Sequence, residues 1–312
     1  MDAAVASTIQ EGDEFVCIGG GKCGERFSDI VKRYGGIVRE VPVQWGRTFD
    51  TDEVEKVVSE SSAKAITLTH NETSTGVLHD AGAVGKIAKK YDSLFILDAI
   101  TSLGGDYVKT DEWEVDLCIG GSQKCLGAPP GLSMVAVSDR AWNVIENNDT
   151  KNYYLNLASY RKSLKKNTTP FTPSVNLIYG LSKALKEIIE EGLDNRVKRH
   201  QTLAKATREA AGAMNLELFA DQNAASNTVT SIKIPDGMTD DDIRGEMKRK
   251  FNILMAGGQE RLKGKIFRIG HMGNVGYLEL ISVLSALELV LQKGGHDLQL
   301  GNGVKAAQEV LQ

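Results

Sequence analysis

The chain has 312 residues, 41% hydrophobic and 25% charged, with no biased tract, the make-up of a globular protein with a sizeable buried core. A formal net charge of −4 excludes the broad basic face of a nucleic-acid or membrane-surface binder, and the one basic cluster, Arg161 to Lys166, reads as a solvated loop or helix face. No run approaches the roughly 20 apolar residues of a membrane span, the N-terminal stretch lacks the pattern of a secretion signal, and Cys17, Cys23, Cys118 and Cys125 form no C-x-x-C pair, so reduced thiols in a cytoplasmic protein are expected.

From Glu14 onward the pattern alternates. The apolar run Phe15 to Ile18 predicts a strand, and Phe27, Ile30, Val31 and Tyr34 then recur at helical spacing until Gly35-Gly36. Ile37 to Val43 reads as the next strand, a helix with Val54, Val57 and Val58 follows, and Ala65 to Thr69 is a third strand. Val84, Ile87, Ala88 and Tyr91 mark a helix before the buried strand Leu94 to Leu97. This alternation predicts an α/β fold with right-handed crossovers and a mostly parallel sheet covered by helices on both faces. Leu117 to Gly120 and Leu132 to Val137 are two more strands with no helix between them, so the sheet is expected to become mixed there.

The character changes at Asn167 to Val175, where Pro170 and Pro173 interrupt any helix. A long helix follows (Leu177, Ile178, Leu181, Leu185, Ile188, Ile189), then a second from about Asn195 to Met214. Thr228 to Ile234 predicts a strand, Thr239 with Asp242 resembles the capping box of a new helix, and Ile253 to Ala256 and Ile266 to Ile269 predict two strands. A final helix runs from Tyr277 to Gln292. Residues 1–175 therefore form a large α/β domain, and residues 176–312 a linking helix with a smaller α+β domain.

Two stretches carry chemistry. Gly19-x-Gly21-x-x-Gly24 lies between a strand and a helix and satisfies the local part of a dinucleotide-binding fingerprint, with Glu40 near the end of the next strand; glycines at such a turn also serve simple backbone geometry. The second stretch is GGSQKCLGAPPG, Gly120 to Gly131, in which Lys124 follows a strand among small residues. Asp98 ends the strand Leu94 to Leu97, at the edge where ligands sit in open α/β sheets. An acid and a lysine there form either a structural ion pair or the two groups that pyridoxal phosphate requires, an amine for a Schiff base and a carboxylate for the pyridinium nitrogen.

THNETSTGV, LDAITSLGGD, GSQKCLGAPPG, TTPFTPSVNLIYGL and GKIFRIGHMG together resemble, in order, the motifs of class V aminotransferases of fold type I, closest to the alanine–glyoxylate and serine–pyruvate branch. The resemblance covers nearly the whole chain. It implies a pyridoxal 5'-phosphate enzyme that moves an amino group by ping-pong chemistry from a small amino acid (alanine, serine or aspartate) to a 2-oxo acid (glyoxylate or pyruvate). By the same resemblance Lys124 is the Schiff-base lysine and general base, Asp98 binds the ring nitrogen, Ile100 packs on one ring face, Thr73 hydrogen-bonds the cofactor and Gln123 binds its phosphate. Thr172 reaches the phosphate of a neighbouring subunit, which implies a homodimer with shared active sites, and Arg268 grips the substrate α-carboxylate, a task suited to a guanidinium fork.

The sequence departs from the family pattern twice. Cys23 stands where a ring-stacking aromatic residue is usual, and a thiol covers less of the ring. MDAAVAS resembles the body of a helix that holds the cofactor phosphate, so the glycine-rich turn before it is expected to be missing and activity to be impaired. The other readings are a non-catalytic aminotransferase-fold subunit, a phosphoserine aminotransferase and, with less support, a cysteine desulfurase, which needs a late cysteine where none follows Cys125, or a nicotinamide dehydrogenase.

Overall fold

A computed structural model describes all 312 residues. In chain order the elements are α1 (Asp2–Thr8), β1 (Glu14–Gly19), α2 (Lys22–Arg33), β2 (Ile37–Pro42), α3 (Thr51–Ser59), β3 (Ala63–Thr69), β4 (Asn71–Glu72), β5 (Val77–Leu78), α4 (Ala81–Lys90), β6 (Leu94–Asp98), β7 (Leu117–Gly121), β8 (Ser133–Val137), α5 (Asp139–Glu146) and α6 (Leu157–Leu164). They continue with α7 (Val175–Glu191), α8 (Leu193–Ala213), β9 (Val229–Lys233), α9 (Glu246–Phe251), β10 (Ala256–Gly257), β11 (Ile266–Gly270), α10 (Tyr277–Lys293) and α11 (Asn302–Leu311).

The large sheet has the order β2-β1-β3-β6-β7-β8, parallel throughout except for β8, which runs antiparallel to β7. That is the mixed edge expected from two strands with no helix between them. Side chains alternate across the sheet. Val16, Ile18, Ile66, Leu68, Phe95 and Leu97 face one way into a cluster with Val54, Val58, Val84 and Ala88 of α3 and α4. Phe15, Cys17, Ala65, Leu94, Ile96, Leu117 and Ile119 face the other way, against Val5, Phe27, Val31 and Ile145. Each fully buried side chain of this size stabilises the fold by about 1.5–3 kcal/mol, so a helix-covered sheet is the arrangement that buries both stripes.

The strand order reverses at β1, since β2 lies on one side of it and β3 on the other. The crevice at the carboxyl ends of such strands is where open α/β sheets take ligands. A separate core gathers Leu203, Ala210, Ile232, Phe267, Leu284, Leu287 and Ala307 from α8, α10, α11 and the three-stranded sheet β10-β11-β9.

Two expected elements shift. The strand expected at Ile253 to Ala256 is only Ala256–Gly257, because Asn252 closes α9 in the left-handed region (φ 55°) and Ile253 N–H bonds back to Met247. The capping box at Thr239 is present, with Asp242 accepting from Thr239 N–H at 2.8 Å and Thr239 Oγ1 from Asp242 N–H at 3.2 Å, but the helix it opens begins as a wide π turn over Asp241–Gly245.

Candidate active site

The glycine turn after β1 is filled from below by the chain's own side chains. Glu72, fully buried on β4, accepts from Cys23 N–H at 2.9 Å and Gly24 N–H at 3.0 Å, and Ser74 Oγ accepts from Lys22 N–H at 3.0 Å. The first N–H groups of α2 are thereby satisfied by a carboxylate and a hydroxyl from 48 to 52 residues away. A Cβ at Gly21 would stand 2.5 Å from Glu72 Cγ and one at Gly20 2.4 Å from His79 Nε2, so both glycines are required by close approach. A dinucleotide pyrophosphate would need the N–H groups that Glu72 already holds. Glu40, the acid expected for a ribose, is exposed and paired with Lys32. The fingerprint is a packing motif here.

Asp98 ends β6 with its backbone paired to Ile119 of β7, and its carboxylate accepts from Ile100 N–H at 2.9 Å. It is buried and enters no ion pair, and burial pushes its carboxyl above the usual carboxylate range. Lys124 follows β7 on the adjacent loop. It is half-buried, and its amine enters none of the ion pairs that engage Lys22, Lys64 and Lys183. Ile100 and Gln123 converge on Gly121 at the end of β7, where a Cβ would lie 3.1 Å from Ile100 Cγ2 and 3.3 Å from Gln123 Oε1.

Arg268 reaches this place from β11. Its Nη1 donates to the Thr73 carbonyl at 2.5 Å and its Nε to the Gly257 carbonyl at 3.0 Å, which joins the small sheet to the turn after β4. Burial pulls the guanidinium below its usual value, offset in part by Cys23 and Glu72. The Cys23 thiol is pushed up to about 12 by burial first, then by the charges of Glu72 and Asp98. Glu72 and Cys23 are thus close enough to act electrostatically on both Asp98 and Arg268. Outside this group, Lys22 pairs with Glu260 at 2.9 Å, and Arg261 pairs with Glu25 at 2.7 Å while its guanidinium lies 3.9 Å from the ring centre of Trp45. These contacts seat the loop between β10 and β11 against α2.

The lysine loop is anchored from behind. Arg196 of α8, 2% exposed, donates from Nε to the Gly104 carbonyl at 3.0 Å and from Nη2 to the Cys125 carbonyl at 2.7 Å, and pairs with Glu191 at 2.7 Å. Arg199 shares Glu191 and donates to the Val275 and Gly273 carbonyls. His200 donates from Nδ1 to the Arg196 carbonyl at 2.8 Å and accepts Gly273 N–H on Nε2 at 3.1 Å, a neutral tautomer consistent with burial holding its pKa at about 4.

The profile of Aminotransferase class-V matches residues 2–269. The chain belongs to the class-V aminotransferase family. It is 48% identical to an uncharacterized aminotransferase of Methanocaldococcus jannaschii over all of this chain and 81% of that one, and 41% identical to a Synechococcus protein named soluble hydrogenase, small subunit, over all of this chain and 82% of that one. The crystal structure of the ureidoglycine–glyoxylate aminotransferase of Bacillus subtilis superposes with a TM-score of 0.96 at 32% identity, covering 99% of this chain and 81% of that one.

The aminotransferase is of fold type I, and the cofactor of its family is pyridoxal phosphate. The residues present fit that group: a buried carboxylate and a half-buried amine, neither in an ion pair, stand at and just past neighbouring strand ends. Of the residues singled out in the sequence, Ile100 and Gln123 meet around Gly121 at the end of β7, Asp98 ends the neighbouring strand β6 and Lys124 follows β7, and Thr73 and Arg268 meet through a backbone hydrogen bond. Thr172 does not join them. It is exposed between α6 and α7, in a groove of about 480 Å³ with Tyr154, Phe171 and Ile178. Sequence reading missed Glu72, Ser74 and Arg196. Glu72 stands beside Thr73 in the NETS motif, but nothing local says that its partners begin 49 residues earlier.

Proposed function

We propose that the protein catalyses ping-pong transamination from alanine or serine, ahead of aspartate, to glyoxylate or pyruvate. The observation that carries the reading is that Asp98 and Lys124, neither in an ion pair, stand at the end of β6 and just past the end of the adjacent strand β7. When bound, the cofactor's protonated ring supplies an electron sink for the bond broken at the substrate Cα. Asp98 then holds the ring nitrogen's proton, and the arriving cation relieves the burial cost of its carboxylate. Lys124 would hold the cofactor at its aldehyde, and its amine would act as the base that takes the proton from the substrate Cα and passes it on to the cofactor, so that the amino group stays behind. Ile100 packs on the ring, with Thr73 and Gln123 as polar contacts to the cofactor, the latter to its phosphate. Arg268 receives the substrate α-carboxylate.

The preference for an uncharged small donor rests on Arg244, the second guanidinium that acts on Arg268. It is already neutralised by the Asp240 carboxylate at 2.6 Å, whereas Arg268 meets only the Thr73 and Gly257 carbonyls and keeps its charge unpaired, so Arg244 has less to offer a second carboxylate. Glyoxylate as acceptor is supported by the Bacillus subtilis structure's name.

A homodimer with Thr172 serving the partner's phosphate is part of the proposal. Tyr153, Leu164, Tyr179 and Ile189 are exposed along α6, α7 and their flanks, with Tyr153 at 84% and Ile189 at 77%, an apolar face of the kind that marks an interface. Sedimentation should give a dimer, and introducing Tyr179→Glu with Ile189→Glu should give a folded monomer. A wild-type monomer would remove the partner role of Thr172.

The reading is tested by the visible spectrum of the purified protein with pyridoxal phosphate, before and after L-alanine. The expected result is a protein-bound absorption band that shifts when the amino acid is added. A spectrum of free cofactor alone would favour the non-catalytic reading of the fold.

A further inference from the structure

Glu72 is a fully buried acid at the centre of the site, and none of its partners is a basic side chain. One oxygen takes Cys23 N–H and Gly24 N–H, at 2.9 and 3.0 Å; the other takes Ser74 N–H at 3.0 Å and the Ser74 hydroxyl at 2.6 Å. Four donors converge on one carboxylate, and each such bond is stronger than a neutral one. The Ser74 hydroxyl in turn accepts Lys22 N–H, so all three N–H groups that open α2 depend on Glu72 directly or at one remove. No side chain at Gly21, the helix cap, takes this role.

The geometry points to Glu72 as a positioning residue: its carboxylate fixes the start of α2, so that the backbone of Cys23 is held in one position and orientation. The part of this inference that concerns the cofactor rests on the aminotransferase reading above; the part that concerns Cys23 does not. A cap contributed by the helix's own flank would leave α2 free to shift with its turn, whereas a cap on β4 ties it to the strand pair that also carries the Thr73 carbonyl contacted by Arg268. The ring-covering thiol and the substrate-binding arginine are therefore referred to one rigid segment, residues 72–74. The same carboxylate also acts on the thiol by charge, in the direction that opposes its ionisation.

The test is Glu72→Gln, which keeps the volume, removes the charge and turns an amide NH2 toward groups that are themselves donors. Two quantities are read in the folded protein: the dissociation constant of pyridoxal phosphate and the iodoacetamide alkylation rate of Cys23 without cofactor, with Cys23→Ser as the blank. Cofactor binding should weaken about tenfold, the loss of one charge-assisted hydrogen bond. Alkylation at a fixed pH of about 8 should quicken about tenfold as the thiolate becomes less disfavoured. If Glu72→Gln does not fold, Ser74→Ala removes the hydroxyl link and keeps the Glu72 charge, so cofactor binding should weaken by a smaller factor while the thiol rate stays near that of wild type. A variant that melts earlier yet keeps the wild-type cofactor constant and thiol rate would overturn the inference, leaving Glu72 a helix cap and nothing more. Should wild type fail to bind the cofactor, the aminotransferase reading fails, and the thiol rates still decide the role of Glu72.

Discussion

Replacing Lys124 with alanine is expected to abolish the protein-bound visible band and to lower transamination by at least about 100-fold, the lower range for loss of a general base. The fold should be nearly indifferent to the change. The amine is half-buried and unpaired, so Lys124→Ala removes neither a salt bridge nor a fully buried stem, and its effect on stability should stay within about 0.5 kcal/mol. This separation of a large chemical effect from a small structural one is what distinguishes a reacting lysine from one that merely ends a strand. Urea unfolding and the absorption spectrum of the same sample check both halves. A variant that kept the band would move the covalent role to another amine, and one that unfolded would show Lys124 to be a structural residue.

The parallel sheet was legible because its strands are short apolar runs flanked by helices with strong 3.6-residue periodicity, and two buried faces demand that pattern. The strand-end positions of Asp98 and Lys124 were legible because an apolar run closing in an acid, or followed by small residues, is a local signal. The hairpin of β4 and β5 was not, since two-residue strands carry no periodicity. Glu72 and Arg196 were not legible because their meaning lies in partners distant in sequence. Arg196 reads as one more charge in the polar helix Leu193–Ala213, yet its guanidinium contacts Gly104, 92 residues earlier, and Cys125, 71 residues earlier. Cys23 shows the reverse case: the sequence marked it as a departure from pattern, and the structure supplies the carboxylate that holds its backbone.

Arg196→Met should destabilise the protein by about 3–5 kcal/mol, the range for breaking a buried charge pair by removing one partner. Arg199 still faces Glu191 in the variant, which moderates the cost of the remaining charge. The Gly104 and Cys125 carbonyls have no such substitute, and a buried carbonyl left unpaired costs about 1–3 kcal/mol. Arg196→Lys should recover only part of the loss, because an ammonium presents no planar fork to bridge Gly104, Cys125 and Glu191 together. The effect should also reach the chemistry. Cys125 follows Lys124 directly, and a Cβ at Gly273, the residue held by Arg199 and His200, would lie 3.3 Å from the Lys124 carbonyl. Loosening this packing shifts the lysine relative to Asp98 while leaving both residues in place. Turnover should therefore fall in folded Arg196→Lys with the absorption band retained, the opposite of the pattern expected for Lys124→Ala. The urea midpoint and kcat of the two Arg196 variants decide it, and a midpoint unchanged in Arg196→Met would mean that the helix holds the lysine loop without the guanidinium.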